Sequence, residues 1–310
     1  MSYHSRFFFA RFYEASGASA RNQSFAYSRR NCFAPLNSCP ASIAAAAAVA
    51  IGHAPGMVLR SSAMFIAIVA AAPSLALLTY FYLRDRYERE PIGHLVAAYL
   101  LGIFALLAAQ GATSMVVDWV SADWLHLGGE PARLFDAFVL AGAVEEIAKW
   151  VVLFAAVYAW REFDEPMDGL LYGVAISLGF ATLENFLFLS TRGLAIAWQR
   201  AIFAVPAHAL FGGCMGYYAG RAKFAPADGT RARRFWLSLT LSLVVPIGFH
   251  GAYDFALQHG LGWKVWGAVT LLSLTFWIFV LRRVKRAQRA SPYRPKTMMP
   301  TDFQALRRGK

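Results

Sequence analysis

The sequence predicts an all-α, polytopic transmembrane helix bundle of about seven spans. Hydrophobic residues make up 58% of the 310 residues and charged residues only 15%, and a mean hydropathy of +0.42 is typical of an integral membrane protein. Seven hydrophobic stretches each approach the ~20 residues that a helix needs to cross a bilayer. They lie at about residues 62–83, 94–117, 134–160, 167–190, 201–220, 236–257 and 263–281. Because the connections are short, we expect helices adjacent in sequence to pack antiparallel.

Residues 1–56 differ in composition from the rest of the chain. They carry five arginines but a single acid, Glu14, and they end in the alanine run 44–48. The segment is open to interpretation as a targeting segment, an upstream extension from a mistaken start codon, or a disordered tail. We favour the second interpretation, because Met57 stands directly before the first hydrophobic stretch. The expected organisation is therefore an N-terminal extension at 1–56, a membrane domain at 57–290 and a basic cytoplasmic tail at 291–310.

The charges of the connecting loops predict how the bundle is oriented. The connections after the first, third and fifth stretches and the tail from Arg282 onward contain nineteen lysines and arginines, whereas the connections on the opposite side contain four. Positively charged loops stay in the cytoplasm, so we expect a multi-pass protein of the cell membrane with its N-terminus outside and its C-terminus cytoplasmic. The net charge of +12 reflects this topology and does not indicate nucleic-acid binding.

The third stretch carries two adjacent carboxylates and an ammonium group in its middle. Lys149 follows Glu145 by four residues and Glu146 by three, so on a helix it reaches either acid. Each charge at that depth costs at least ~2.5–3.5 kcal/mol on insertion scales. The three groups are therefore expected to be paired, solvated or bound to something. A structural ion-pair network between helices is the simplest explanation, and a functional site is the alternative.

The next three stretches carry matching polar groups. Glu184 and Asn185 lie in the fourth stretch, His208 in the fifth, and His250 and Asp254 in the sixth. The four-residue spacing lets Asp254 orient the imidazole of His250. Counted from the predicted helix ends at ~1.5 Å per residue, Glu184 and both histidines lie roughly 10 Å deep and Glu146 roughly 18 Å deep. We therefore expect these groups to meet in one cavity in the outer half of the bilayer.

Two histidines with carboxylates suit a site for zinc or another divalent metal ion that polarises a carbonyl group and activates water. The ordinary alternatives are an interhelical hydrogen bond for each histidine and a helix–helix clamp for the pair at 184–185. Because neighbouring helix positions point about 100° apart, Glu145 and Glu146 are not expected to contact one metal ion together. One of them would face the site while the other pairs with Lys149.

At these residues the sequence resembles the PrsW family of intramembrane proteases, distant relatives of the superfamily of CAAX prenyl proteases and bacteriocin-processing proteins. The resemblance covers roughly residues 57–290 and rests on long polar motifs set in apolar helices. These motifs are Tyr80–Pro91, Glu145-Glu146-x-x-Lys149, Phe163–Glu165, Asp168–Gly173, Ser177–Asn185, Arg200–Gly212 and Leu243–Asp254.

The resemblance implies a membrane peptidase, usually regarded as a metalloprotease, that cuts a single-span membrane protein such as an anti-sigma factor. It implies that Glu145, Glu146 and His208 are essential, with His250 and Glu184 as further site residues. We expect one glutamate to act as general base and His208, His250 and Glu184 to hold the metal, or the histidines to stabilise the oxyanion. The supporting residues would be Lys149, Asn185 and Asp254.

The expected partners are the single-span substrate and the lipid bilayer, with no nucleic acid. Two other functions use the same residues. An ion-coupled transporter would use them as a relay, and an inactive membrane scaffold would keep the fold without the chemistry.

Overall fold

A computed structural model describes residues 55–123, 129–260 and 262–295, and within these ranges the chain forms seven helical elements and no strands. We number them α1 to α7 in chain order. They are α1 (Pro55–Tyr82), α2 (Ile92–Asp123), α3 (residues 129–157), α4 (Pro166–Arg192), α5 (Leu194–Lys223), α6 (Arg231–Leu257) and α7 (Trp263–Ala290). The all-α prediction is confirmed. The proposed extension lies almost wholly outside the described residues, as does most of the predicted tail.

Six of the seven elements are long and apolar enough to cross a membrane. The seventh predicted span corresponds to α3, which is helical but interrupted. It consists of α-helix at Gly129–Leu134 and Glu146–Val152 and π-helix at Phe135–Glu145 and Leu153–Val157. A bundle of about seven spans is consistent with this arrangement. π-Helical segments within α-helices are frequently found at functional sites, and here the junction falls between the two glutamates.

Helix α4 is the central element of the bundle. Its N-terminal half, residues 166–181, is buried throughout, and α2 and α5 pack against it through contacts between backbones. A Cβ added to Gly179 would lie 1.8 Å from the carbonyl oxygen of Tyr99 on α2. Only glycine permits this approach, because any side chain would force the two helices apart.

Helix α5 runs antiparallel to α4 along a second glycine-lined contact. A Cβ on Gly173 would lie 2.2 Å from the carbonyl oxygen of Gly212, and one on Gly216 would lie 1.8 Å from that of Gly169. The glycines of α5 at this contact therefore permit the close approach of the two helices. The contact fixes the C-terminal half of α4 beside the start of α5, which brings Glu184 next to His208.

Candidate active site

Glu146 and Lys149 of α3 are fully buried and pair with each other within the helix. Lys149 Nζ donates to Glu146 Oε1 at 2.6 Å, and neither side chain is exposed to solvent. The Lys149 ammonium also lies 4.0 Å from the centre of the Phe180 ring on α4. Of the two glutamates, Glu146 is therefore the one whose charge the chain neutralises.

His208 on α5 and His250 on α6 contact the ion pair of Glu146 and Lys149. His208 Nδ1 lies 3.2 Å from Lys149 Nζ, and His250 Nδ1 lies 2.8 Å from Glu146 Oε1. Since an ammonium group only donates, Nδ1 of His208 accepts, and its Nε2–H donates to Glu184 Oε2 at 3.0 Å. Since a carboxylate only accepts, Nδ1 of His250 donates, which leaves the Nε2 of a neutral His250 as an acceptor or metal ligand.

Glu184 and Asn185 link α4 to α5 through Arg200. The Arg200 guanidinium donates Nη2–H to Glu184 Oε2 at 2.7 Å and Nε–H to Asn185 Oδ1. Asn185 also donates to the backbone carbonyl of Ala70 on α1. Glu184 thus receives hydrogen bonds from both Arg200 and His208, and Asn185 acts as a clamp between helices.

Glu145 lies close to both histidines. One carboxylate oxygen of Glu145 and one ring nitrogen from each of His208 and His250 lie within 4.8 Å of one another, a spacing that could hold a metal ion. Glu145 Oε2 and Glu146 Oε2 are buried without a hydrogen-bond partner. This triad contains Glu145, whereas the predicted metal set contained Glu184, and the role of Glu184 as a ligand stays a prediction.

Asp254 lies near His250 but does not hydrogen-bond to it. Its Oδ2 is 3.6 Å from His250 Nε2, and Glu145 Oε2 is 4.0 Å from the same nitrogen. The carboxylate that contacts the His250 imidazole directly is Glu146, through Nδ1. Glu146 is thus the direct hydrogen-bond partner of His250, and the predicted orienting role of Asp254 stays a prediction.

An apolar cleft adjoins the histidines. Phe211 stacks on His250 with ring centres 4.8 Å apart, and the two imidazoles meet edge to face at 5.3 Å. The cleft is small, with a cavity volume of about 20 Å³, and it lies between α5, α6 and α7. Its lining includes Phe203, Pro206, Phe211, Tyr253, Phe276 and Trp277.

The sequence located the residues that meet here but missed the role of Arg200. In the sequence, Arg200 is one of the loop charges and the first residue of a family motif, whereas the structure places its guanidinium against Glu184 and Asn185 in the bundle. Residues 200–204 form a π-helical turn that continues directly into the rest of α5. The sequence signal was the presence of one arginine next to an apolar stretch, which is equally typical of a helix end at the membrane surface.

The chain matches a known protein family over most of its length. The family model described as "PrsW family intramembrane metalloprotease" matches residues 90–282. The chain is 41% identical over 224 residues to Protease PrsW of Bacillus subtilis (strain 168), which covers 72% of this chain and 96% of the relative. It is 40% identical over 234 residues to Protease PrsW of Geobacillus kaustophilus (strain HTA426), covering 76% and 96%.

A more distant relative is Protease PrsW of Clostridioides difficile (strain 630), which is 32% identical over 202 residues, covering 64% of this chain and 81% of the relative. No solved structure gives a significant match. The family match, which includes every residue of the histidine and glutamate cluster, and the extent of these similarities lead to one conclusion: the chain belongs to the PrsW family of intramembrane proteases.

Proposed function

We propose that this protein hydrolyses a peptide bond of a single-span membrane protein, such as an anti-sigma factor, near the outer face of the membrane. The observation that carries the proposal is the triad of Glu145, His208 and His250, whose polar atoms lie within 4.8 Å of one another inside a bundle of apolar helices. Ionisable groups at membrane depth are costly and generally mark a functional site. Here the family membership identifies that function as proteolysis.

The side chains of the triad fit a divalent metal such as zinc. Imidazole nitrogen and carboxylate oxygen are the ligands of catalytic zinc sites. Glu145 offers an oxygen without a partner, and His250 offers Nε2 because its Nδ1 is held by Glu146. His208 would join them by exchanging its hydrogen bond with Lys149 for the metal. When bound, the metal would supply Lewis-acid polarisation of the scissile carbonyl and a more acidic water molecule.

The remaining chemistry belongs to the chain itself. With Oε2 of Glu145 on the metal, the other carboxylate oxygen of Glu145 would take a proton from the attacking water and return it to the leaving amine. Glu146 would hold the His250 imidazole, as carboxylates do for metal-binding histidines. Glu184, fixed by Arg200, would hold His208 in the same way. Lys149 would keep Glu146 ionised and in place.

The hydrophobic segment of the substrate would enter at the apolar cleft, which would widen by movement of α6 and α7 to admit it. Its walls are mainly aromatic and aliphatic side chains, and Phe211 is shared between the cleft and the histidine pair. A helix that enters from the lipid must keep its backbone hydrogen bonds until it reaches polar groups. An opening between α5, α6 and α7 would let it approach the triad without crossing water.

The test is co-expression of the chain with a panel of single-span envelope proteins, followed by blotting for fragments. We expect a fragment with the wild type and at least a ~10²-fold slower appearance with Glu145→Gln, Glu146→Gln or His208→Ala, since loss of a positioned general base costs ~10²–10⁴ in rate. Matched controls are Glu130→Gln and His259→Ala, because these two side chains form a partly exposed carboxylate–imidazole pair outside the cluster. Full activity in both glutamine variants and in their double mutant would refute the proposal. No fragment from the wild type, with ion-coupled uptake lost in the variants, would favour a transporter.

The proposed metal site is tested by measuring the zinc content of the purified protein. We expect one zinc per purified wild-type chain and loss of zinc in His250→Ala, with the His259→Ala control unchanged. Removal of zinc by a chelator should abolish cleavage, and added zinc should restore it. A zinc-free protein with full activity would leave the general-base proposal standing and remove the metal from it.

We also propose that the N-terminus is external and the C-terminus cytoplasmic, on the basis of the loop charges. Reporter fusions after Lys310 and between Asp118 and Arg133 should report opposite sides of the membrane. Reporters on the same side would contradict both the orientation and the span count.

A further inference from the structure

A second buried polar cluster lies at the opposite end of α4 from the histidines. It forms where the loop after α1, the residues that precede α4 and the start of α4 itself meet. We call it the acidic cluster, and its members are Asp85, Glu88, Glu90, Glu165 and Asp168. All except Glu88 are at most 1% exposed. The proteolytic mechanism uses none of these residues.

The carboxylates approach one another as ligands of a cation would. Single oxygens of Asp85, Glu165 and Asp168 lie within 4.8 Å of one another, and single oxygens of Glu88, Glu90 and Asp168 do the same. Asp168 belongs to both groups, so the five side chains form one continuous set. Every ligand atom in the set is a carboxylate oxygen.

In three of these carboxylates, one oxygen accepts a hydrogen bond from the protein and the other oxygen has no partner. Asp168 Oδ2 accepts the backbone N–H of Glu165 at 2.6 Å, Glu90 Oε2 accepts the hydroxyl of Tyr172, and Glu165 Oε2 accepts the hydroxyl of Ser291. The second oxygen of each of these three side chains, and both oxygens of Asp85, are buried without a hydrogen-bond partner. Buried polar atoms are nearly always paired, so five such oxygens in one cluster require an explanation.

No basic side chain among the described residues pairs with these carboxylates. Among the described residues, none of the ion pairs involves the acidic cluster. The nearby Lys223 instead donates to the backbone carbonyl of Tyr158 at 2.7 Å and lies 4.3 Å from the Phe163 ring centre. Burial, together with the charges of Glu165 and Glu90, raises the pKa of Asp85 to about 7. Without a counterion, ionising the group is therefore unfavourable.

Part of the arrangement has a simpler role. Asp168 accepts backbone N–H groups at the start of α4, and an acidic residue there stabilises any helix through capping and the helix dipole. That role uses Oδ2 of Asp168 and the side chain of Glu165, which together form a capping box. It accounts neither for Asp85, which makes no hydrogen bond through either oxygen, nor for the free oxygens of Glu90 and Glu165.

We infer that the acidic cluster binds a hard divalent cation of the Ca²⁺, Mg²⁺ or Mn²⁺ class, with Asp85, Glu165 and Asp168 as its primary ligands. Such ions prefer sites made wholly of oxygen atoms, whereas zinc prefers sites with nitrogen or sulfur. The cation would join the loop after α1 to the start of α4. Through the hydrogen bond between Glu165 and Ser291, it would also hold the end of α7. This inference does not depend on the proposed proteolysis.

The test measures binding of radioactive Ca²⁺ to the chelator-treated full-length chain in lipid nanodiscs, with Mn²⁺ as a second probe. The protein carries Glu145→Gln and His208→Ala, so that the histidine cluster cannot contribute. We expect one saturable site per chain and an apparent unfolding temperature about 5 °C or more higher at a hundredfold excess of cation over Kd.

Single substitutions in the same background locate the site. Asp85→Asn and Glu165→Gln should each weaken binding at least tenfold, and Glu130→Gln, which removes a partly exposed acid elsewhere, should leave it unchanged. Asp85→Asn is the decisive variant, because it keeps the shape of a side chain that makes no hydrogen bond and should not impair folding. Absence of saturable Ca²⁺ and Mn²⁺ binding would overturn the inference and indicate carboxyl groups that share protons. Binding that survives Asp85→Asn and Glu165→Gln unchanged would also overturn it.

Discussion

The two buried clusters at the ends of α4 contain similar numbers of carboxylates, but they differ in how the charge is balanced. Asp168 and Glu184 are sixteen residues apart, about 24 Å along the helix axis. In the histidine cluster, Glu146 pairs with Lys149 and Glu184 with Arg200. No ion pair among the described residues involves the acidic cluster. Burial alone therefore does not determine whether a carboxylate is charge-balanced, because the histidine cluster contains its own cations and the acidic cluster does not.

The largest effect on stability should come from breaking the ion pair in α3. Lys149→Met leaves Glu146 buried without its cation, and such a change typically costs 3–5 kcal/mol. The double mutant Lys149→Met/Glu146→Gln removes both charges and should recover most of that stability while remaining inactive. Chemical unfolding in detergent micelles measures both variants. A Lys149→Met protein as stable as the wild type would show that the chain does not need this counterion.

A smaller effect is expected when the arginine between α4 and α5 is replaced. Arg200→Lys keeps the positive charge but loses the planar group that reaches Glu184 and Asn185 together. We expect the free energy of unfolding to fall by about 1.5–3 kcal/mol and cleavage to slow about 10–100-fold, as when a residue that orients a metal-binding histidine is removed. Arg192→Lys, at the end of α4, is the matched control. Wild-type stability and activity in Arg200→Lys would show that only the charge matters.

In the absence of a cation, removing a carboxylate from the acidic cluster should stabilise the protein, in contrast to the destabilising changes in the histidine cluster. In chelator at pH 8, Asp85→Asn should stabilise the protein by about 1–3 kcal/mol, because it removes a buried charge without a partner. With saturating Ca²⁺ the same substitution should destabilise it. Thermal unfolding with and without Ca²⁺ provides the comparison. A substitution effect that does not change with the cation would contradict the distinction between the clusters.

The smallest effect should come from a neutral hydrogen bond beside the histidine cluster. Trp150 Nε1 donates to Ser242 Oγ at 2.9 Å and joins α3 to α6 without any charge. Ser242→Ala should cost about 0.5–1.5 kcal/mol and leave cleavage nearly unchanged. A loss of activity as large as that of Arg200→Lys would show that helix position, rather than charge balance, controls the site.

The sequence predicted the helices well because hydropathy responds directly to membrane burial. The hydrophobic stretches end at about 117 and 281, and helices α2 and α7 continue beyond them to Asp123 and Ala290. Charged residues end a hydrophobic stretch without ending a helix, since straight-chain basic residues have good helix propensity. The π-helical segments of α3 were not predictable either, because a change of backbone hydrogen bonding leaves no trace in hydropathy.

The candidate site was predicted in part. Charges in apolar helices stand out, so the residues from Glu145 to His250 were identified before their contacts were known. Which glutamate joins the histidines depends on side-chain direction at the junction of π- and α-helix, and the sequence left that choice open. In the sequence, the residues of the acidic cluster stand out only as parts of family motifs. Its acids lie at helix ends, where solvated carboxylates are ordinary, and only the packing of three separate segments buries them.

The glycine-lined contact between α4 and α5 has a consequence for motion. Backbones in direct contact, as at Gly173 and Gly212, have no side chains between them that could rotate or compress. We therefore expect this helix pair to behave as one rigid body on the timescale of substrate entry. The other walls of the cleft meet through rings such as Phe249 and Phe276, which stack at 4.0 Å and can slide or turn. Lateral opening toward the lipid would thus occur by movement of α6 and α7. His208 on α5 would keep a fixed distance from Glu184 on α4.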